Sequence, residues 1–405
     1  MSKVRRIRQY SKDDLQRALQ AVDEGLMSLY QAAKQYNVPR TTLTMYNENR
    51  NRKGQMGPTL TFSSEEEQIM VLWVQDMYQK GLTLRRVDLL EAAQWILETF
   101  PREKKFKDNT PSNSWLRAFE RRHPAITMYI QVEPTTNRNI VEKPILKCYE
   151  DVFLNLDTLE VFSDPSRVFK YNEIEFSLGF NLLSLFEANG KNSNRPDLVT
   201  TGLITSARGQ LAFPMVVYPR SGTIPIDIAE SVPLFYGIGN STSGTITKQN
   251  FYNFVTKTFY KFLILNKKHF PVILFIDGTK PKVTLELWQA CQKLNISLVA
   301  YNPSESLNNR KHAANISILT RHIKRKLSDA SFQWKELNTG NCISEIHFSE
   351  LIQTAIHHGI SQELIISDWA DFPFYKWILQ RSTRMEEIEF VSADQEESTE
   401  RLLPT

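Results

Sequence analysis

SLYQAAKQYNVPRTTLTMYN, residues 28–47, reads as two short helices around a tight turn. Ser28 caps the first helix, and Gln31, three residues on, completes a capping box. Ala32 and Ala33 are small enough to let a second helix cross closely, and Asn37 suits the left-handed residue that ends a helix. Val38 is the apolar residue of the turn, and Pro39 stands where a new helix begins. Leu43 then faces inward, which leaves Arg40, Thr41, Thr42, Thr44 and Asn47 on the outer face. Short polar side chains with one Arg are the chemistry a major groove accepts, so the stretch reads as a helix-turn-helix whose second helix contacts duplex DNA. The competing reading is an ordinary helical hairpin.

The charge around this stretch favours the DNA reading. Residues 1–53 hold 11 Lys and Arg against 5 Asp and Glu; of the chain's 49 and 45, the rest hold 38 against 40. The whole net charge of +4 therefore sits on this module, the footprint of a polyanion binder. Arg5, Arg6 and Arg8 form a basic arm suited to a minor groove, to phosphates or to nuclear import. Ser11 and Asp14 make another capping box, Leu15, Ala18, Leu19 and Val22 follow at helical spacing, and Gly25 stops that helix. Arg50, Arg52 and Lys53 form a basic link that suits the phosphate backbone. Together these segments make a three-helix unit over residues 1–55.

A second helical unit is expected over residues 56–126. Ser64 with Glu67 starts a helix with Ile69, Leu72, Trp73 and Met77 on one apolar stripe, ended by Gly81. Leu84 to Phe100 is another amphipathic helix. Lys104 and Lys105 lie in the basic run REKKFK. Pro111 to Arg122 is a third helix, with Trp115, Leu116 and Phe119 inward and Ser112, Asn113, Arg117, Arg121 and Arg122 toward DNA. For Arg121 and Arg122 a merely solvated face is the alternative.

Two helix-turn-helix units in tandem, the first with RTTL and the second closing on WLRAFERRHPAI, resemble the DNA-binding half of pogo-like transposases and their domesticated relatives, the centromere protein B, jerky and tigger group. The resemblance implies that both units bind one duplex. Residues 127–144 read as an extended linker, followed by a helix of about 16 residues ending at Val161. Strands and helices then alternate: Val168 to Tyr171, a hairpin of Leu198 to Thr205 and Leu211 to Tyr218, the helix Phe251 to Leu265, the strand Val272 to Ile276, the helix Val283 to Leu294, the strand Ser297 to Tyr301 and the helix Ala314 to Leu327. That order implies a mixed α/β sheet covered on both faces. Residues 145–380 resemble the RNase H-like catalytic domain of the same transposases, with YGIGNSTSGTITKQNF (Tyr236 to Phe251) as a landmark. The fold class expected is thus multidomain: two all-α DNA-binding units, then an α/β RNase H-like domain, then an acidic tail over 381–405, read as disordered.

The resemblance also implies three acids that hold two metal ions, because in-line displacement at phosphorus uses two cations roughly 4 Å apart. Asp277, closing VILFID, takes the second acid's place. Asn172 falls at the first, in FKYNEIEF, and Ala313 takes the third by register after Tyr301-Asn302-Pro303. Glu173 and Glu175 are conceivable substitutes, but Glu173 points to the opposite sheet face if the strand continues; Glu305 is a third-position substitute by a register slip. The set Asn172, Asp277 and Ala313 implies a vestigial site, no bound metal and no cofactor. His347, His357 and His358 lack partners at ligand spacing. Cys148, Cys291 and Cys342 read as reduced thiols, and no apolar run approaches the roughly 20 residues of a membrane span.

The reading is a nuclear, sequence-specific double-stranded-DNA-binding protein domesticated from a transposase. It no longer cuts, and residues 145–405 serve as a platform for chromatin or transcription proteins or for a homodimer. The alternative is an active transposase or endonuclease with displaced acids, and a weaker one is a scaffold that has lost DNA binding.

Overall fold

The protein is described by a computed structural model over residues 10–48, 61–102, 106, 110–131, 161–177, 198–279, 282–301, 317–339 and 343–382. It divides into two compact units, Met1–Ser63 and Ser64–Thr405. In the first, α1 (Lys12–Asp23), α2 (Leu29–Gln35) and α3 (Arg40–Glu48) enclose Ala18, Ala32, Val38 and Leu43. Both expected capping boxes form: Asp14 N–H donates to Ser11 Oγ, and Gln31 N–H to Ser28 Oγ. Asn37 takes the left-handed conformation at φ 52°, which turns the chain from α2 into α3.

The second unit opens with α4 (Ser64–Gln79), a short strand β1 (Leu84–Arg85), α5 (Arg86–Thr99) and α6 (Asn113–Arg122). A 3-10 turn (Pro124–Tyr129) leads to β2 (Ile130–Gln131), which pairs parallel with β1. Three sequence expectations change here. Leu84 and Arg85 belong to a strand, because Asp88 accepts the Arg85 N–H and so starts the helix after it. Leu72 is 47% exposed; Met70, Val71, Trp73, Val74 and Met77 form the buried stripe instead. The stretch expected as linker from 127 continues the second unit to Gln131, with Ile126 and Ile130 buried in it. The helix expected to end at Val161 lies outside the described residues, except that Val161 begins a 3-10 turn.

The α/β part is built on β3 (Val168–Ser177), β4 (Leu198–Ser206), β5 (Met215–Pro219), β6 (Gly237–Ser241), β7 (Val272–Asp277) and β8 (Ile296–Tyr301). Their order across the sheet is β6-β5-β4-β3-β7-β8. β3, β4 and β5 are antiparallel neighbours, β7 runs parallel to β3, and β8 parallel to β7. This is an RNase H-like order, widened by β6, which pairs parallel with β5. The helix α7 (Ile226–Ser231) precedes β6.

Two helical layers cover the sheet. On one face α8 (Lys248–Asn253) runs through a π-helical turn (Phe254–Phe259) into α9 (Tyr260–Leu265). Phe259 meets Phe169 edge-on there, and Phe251 packs on Tyr171. The glycines of the Tyr236–Phe251 landmark permit this approach: a Cβ on Gly239 would stand 2.7 Å from Asn250 Oδ1, and one on Gly237 2.6 Å from Thr258 Oγ1. Between β7 and β8 runs α10 (Leu285–Lys293). On the opposite face lie α11 (Ile318–Leu337), α12 (Glu345–Gly359) and α13 (Gln362–Ala370), where Phe348 meets Phe176 and Phe372 meets Phe275. α11 is longer than the expected Ala314–Leu327 and starts at the Ser317 cap, whose Oγ accepts the Thr320 N–H. No helix among the described residues is long and apolar enough to cross a membrane.

Candidate nucleic-acid interface

On α3 the backbone turn at Asn37 and the buried Leu43 orient the helix so that Arg40 and Thr41 are exposed and Thr42, Thr44 and Asn47 half-buried. Arg40 has no ion-pair partner among the described residues. Met45 and Tyr46 are also exposed on this helix. Sequence alone does not single them out, because apolar side chains are first assigned inward. An apolar contact to a thymine methyl is one use for such a residue.

The second unit separates structural arginines from free ones. Arg122 donates through Nε to Glu67 Oε2 at 3.0 Å, and His123 Nε2 meets the same oxygen at 2.8 Å. Glu67 is buried, so this cluster pins the end of α6 to α4 rather than capping α4. Arg86 forks onto Glu120 at 3.0 and 2.9 Å, and Arg102 onto Glu66. Arg117 and Arg121 remain exposed with no acidic partner among the described residues; the Arg121 Nε donates to the Arg117 carbonyl at 3.3 Å. Ser112 caps α6 by accepting the Trp115 N–H, and Asn113 stands exposed at the helix start. Trp115, Leu116 and Phe119 are buried beneath, as the sequence implies. Arg5, Arg6, Arg8, Arg50, Arg52, Lys53, Lys104 and Lys105 lie outside the described residues.

The cleft residues converge only in part. β3 and β7 pair Val168 with Ile273, Phe169 with Leu274 and Lys170 with Phe275. Two more residues in that register set Asn172 beside Asp277, on the face that carries Lys170 and Phe275. Asp277 Oδ1 accepts from the Thr279 N–H at 2.8 Å and from its hydroxyl at 2.6 Å. The Asn172 Nδ2 is buried without an acceptor. Glu173 points to the other face, where it accepts from the Tyr171 hydroxyl at 2.9 Å and pairs with Lys282. Lys324 lies near Glu175; burial pushes its ammonium pKa down, and Glu175 works against that shift. Ala313 and Glu305 lie outside the described residues. Of the three expected metal-holding positions, the described residues thus include Asn172 and Asp277, and Asp277 is the one carboxylate of the two.

The histidines have local uses. His347 Nδ1 accepts from the Ser344 N–H and its ring lies against Trp334; His357 and His358 are exposed and lie against each other. Burial pushes the Cys291 thiol up to about 12, which makes it inert at neutral pH.

Two folded helix-turn-helix units with exposed arginines describe a DNA-binding protein. Residues 11–55 match the family described as the helix-turn-helix Psq domain, and residues 63–129 match the Tc5 transposase DNA-binding domain. The expected tandem of helix-turn-helix units is thereby borne out. Among solved structures, the chain is similar to the Mos1 transposase paired-end complex with the left transposon end, at 8% identity over 91% of this chain and 81% of that one, TM-score 0.23. It is also similar to a pre-cleavage Mos1 transpososome, at 8% identity over 89% and 98%, TM-score 0.26. For the Mos1 strand transfer complex the figures are 11% over 91% and 98%, TM-score 0.24. TM-scores of that size do not fix a shared fold. Comparison with curated proteins finds no match.

Proposed function

We propose that this protein reads duplex DNA in the nucleus with both helix-turn-helix units and does not cut it. The observation that carries the reading is that α3 in the first unit and α6 in the second are each held by buried apolar side chains and each present arginine and short polar groups outward. The absence of cutting is supported by Asn172, a neutral amide that the β3–β7 register sets beside Asp277, where the resemblance implies a carboxylate. The α/β domain then serves as a platform for chromatin or transcription proteins or for a second copy.

Arg40→Ala and Thr41→Ala test the recognition helix. On a DNA site selected by the protein from random duplexes, each is expected to weaken binding by about 1–3 kcal/mol and to blur preference at one or two positions. A gel shift reads the first effect and reselection the second. Unchanged affinity and unchanged preference in both variants remove α3 from the interface.

A further inference from the structure

The second helix-turn-helix is not a bead on a linker. Within the unit Ser64–Thr405 it is tied to the α/β part by groups on three elements. At the end of α4, Asp76 Oδ2 accepts from the Trp288 indole Nε1 at 2.6 Å and from Lys80 at 2.9 Å. The Lys80 carbonyl accepts the Ala300 N–H at 2.8 Å, so α4 closes the free edge of β8. On α5, Asp88 and Glu91 both pair with Lys248, the first residue of α8. Lys248 belongs to the Tyr236–Phe251 landmark, and Thr247 fixes its place by capping α8 through the Asn250 N–H.

The electrostatics agree with a close dock. Burial works to raise the Asp88 carboxyl, yet hydrogen bonds from Arg85 and Lys248 hold it below its ordinary range. Burial works to lower the Lys248 ammonium, and its bonds to Glu91 and Asp88 raise it instead. A cavity of about 70 Å³ opens between Trp73, Trp95, Val283 and Leu285 at this junction. The outward side chains of the recognition helix α6 take no part in these ties. It packs on α5, where Arg86 reaches Glu120, and Asn113, Arg117 and Arg121 stay exposed.

We propose that the α/β domain is a rigid mount for the second DNA reader, with Lys248 and Trp288 as positioning residues that set the direction of the duplex on α6 relative to the sheet. The proposal rests on the reading that residues 64–131 bind DNA. A reader already held in its bound attitude has less freedom to lose on association, which raises affinity with no new bond to DNA. It also gives the transposase-like domain a role in DNA reading that does not need the metal site.

Lys248→Met with Trp288→Phe removes the polar ties made by these two side chains and keeps an apolar group at each position, and Lys248→Arg keeps the charge. All are made in the full chain and footprinted with hydroxyl radicals on the selected duplex. The wild type is expected to protect two tracts. The double variant is expected to keep the first-unit tract, lose the second and bind roughly tenfold more weakly, while Lys248→Arg restores both tracts. A thermal scan of the double variant should show residues 64–131 melting ahead of the α/β part. Two tracts and unchanged affinity in the double variant overturn the mount alone, whether or not its melting splits. A wild-type chain that protects no DNA overturns the DNA reading, and the mount with it.

Discussion

Lys170→Met lowers the stability of the α/β domain by about 3–5 kcal/mol, the loss seen when one partner of a buried ion pair is removed. Lys170 is 5% exposed and Asp368 3%, so neither charge has water to fall back on. The ammonium lies 2.7 Å from Asp368 Oδ2 and 3.2 Å from the Asp368 carbonyl, and within 5.2 Å of the Trp369 ring centre. Methionine keeps the volume and strands the carboxylate. Asp368 retains one described donor, the Leu319 N–H at 3.1 Å, at the start of α11. The pair therefore joins three elements, β3, α11 and α13, at one point. Adding Asp368→Asn to Lys170→Met removes the stranded charge and should recover more than half of the loss, since two neutral groups need no counter-ion. Urea unfolding of the single and double variants gives the coupling directly. A single-variant loss under about 1 kcal/mol means that the pair is not buried in solution.

Affinity for DNA falls by roughly 10³–10⁵ between 50 and 200 mM salt if the protein neutralises about 6–10 phosphates. The basic groups for this are at hand: Arg5, Arg6, Arg8, Arg50, Arg52 and Lys53 flank the first reader, and Arg117 and Arg121 stand free on the second. Arg122, Arg86 and Arg102 do not add to them, because their guanidinium groups are spent on Glu67, Glu120 and Glu66. Replacing Arg5, Arg6 and Arg8 together with alanine should flatten the plot of log affinity against log salt by about 0.9 for each phosphate no longer neutralised. Arg122→Ala should leave that slope unchanged and act on the stability of α6 instead. A slope near zero in the wild-type chain means that the protein does not bind through the phosphate backbone.

What was legible in the sequence was local. Ser11 with Asp14, Ser28 with Gln31, Asn37 and Leu43 all act within a few residues of themselves, and each takes the conformation its neighbours dictate. β7 was legible because a strand buried on both faces reads as an apolar run. What escaped was set by partners far along the chain. Arg121 and Arg122 look alike until Glu67 is brought to one of them. Nothing near Lys170 in sequence marks it as half of a buried ion pair, and its acid lies 198 positions away. Lys248 sits in a recognisable landmark, yet its partners Asp88 and Glu91 belong to another helical unit. At the cleft, Asn172 and Asp277 were named from the sequence. Their adjacency follows from the β3–β7 register, and the orphaned amide from packing.

The claim that this protein binds DNA without cutting it is tested most directly on the duplex it selects for itself. The full chain is incubated with that duplex, end-labelled, in Mg²⁺ and then in Mn²⁺, with Asp277→Ala in parallel. The account predicts a bound, intact duplex in every lane. Strand breaks at discrete positions that appear with the wild-type chain and vanish with Asp277→Ala would contradict it.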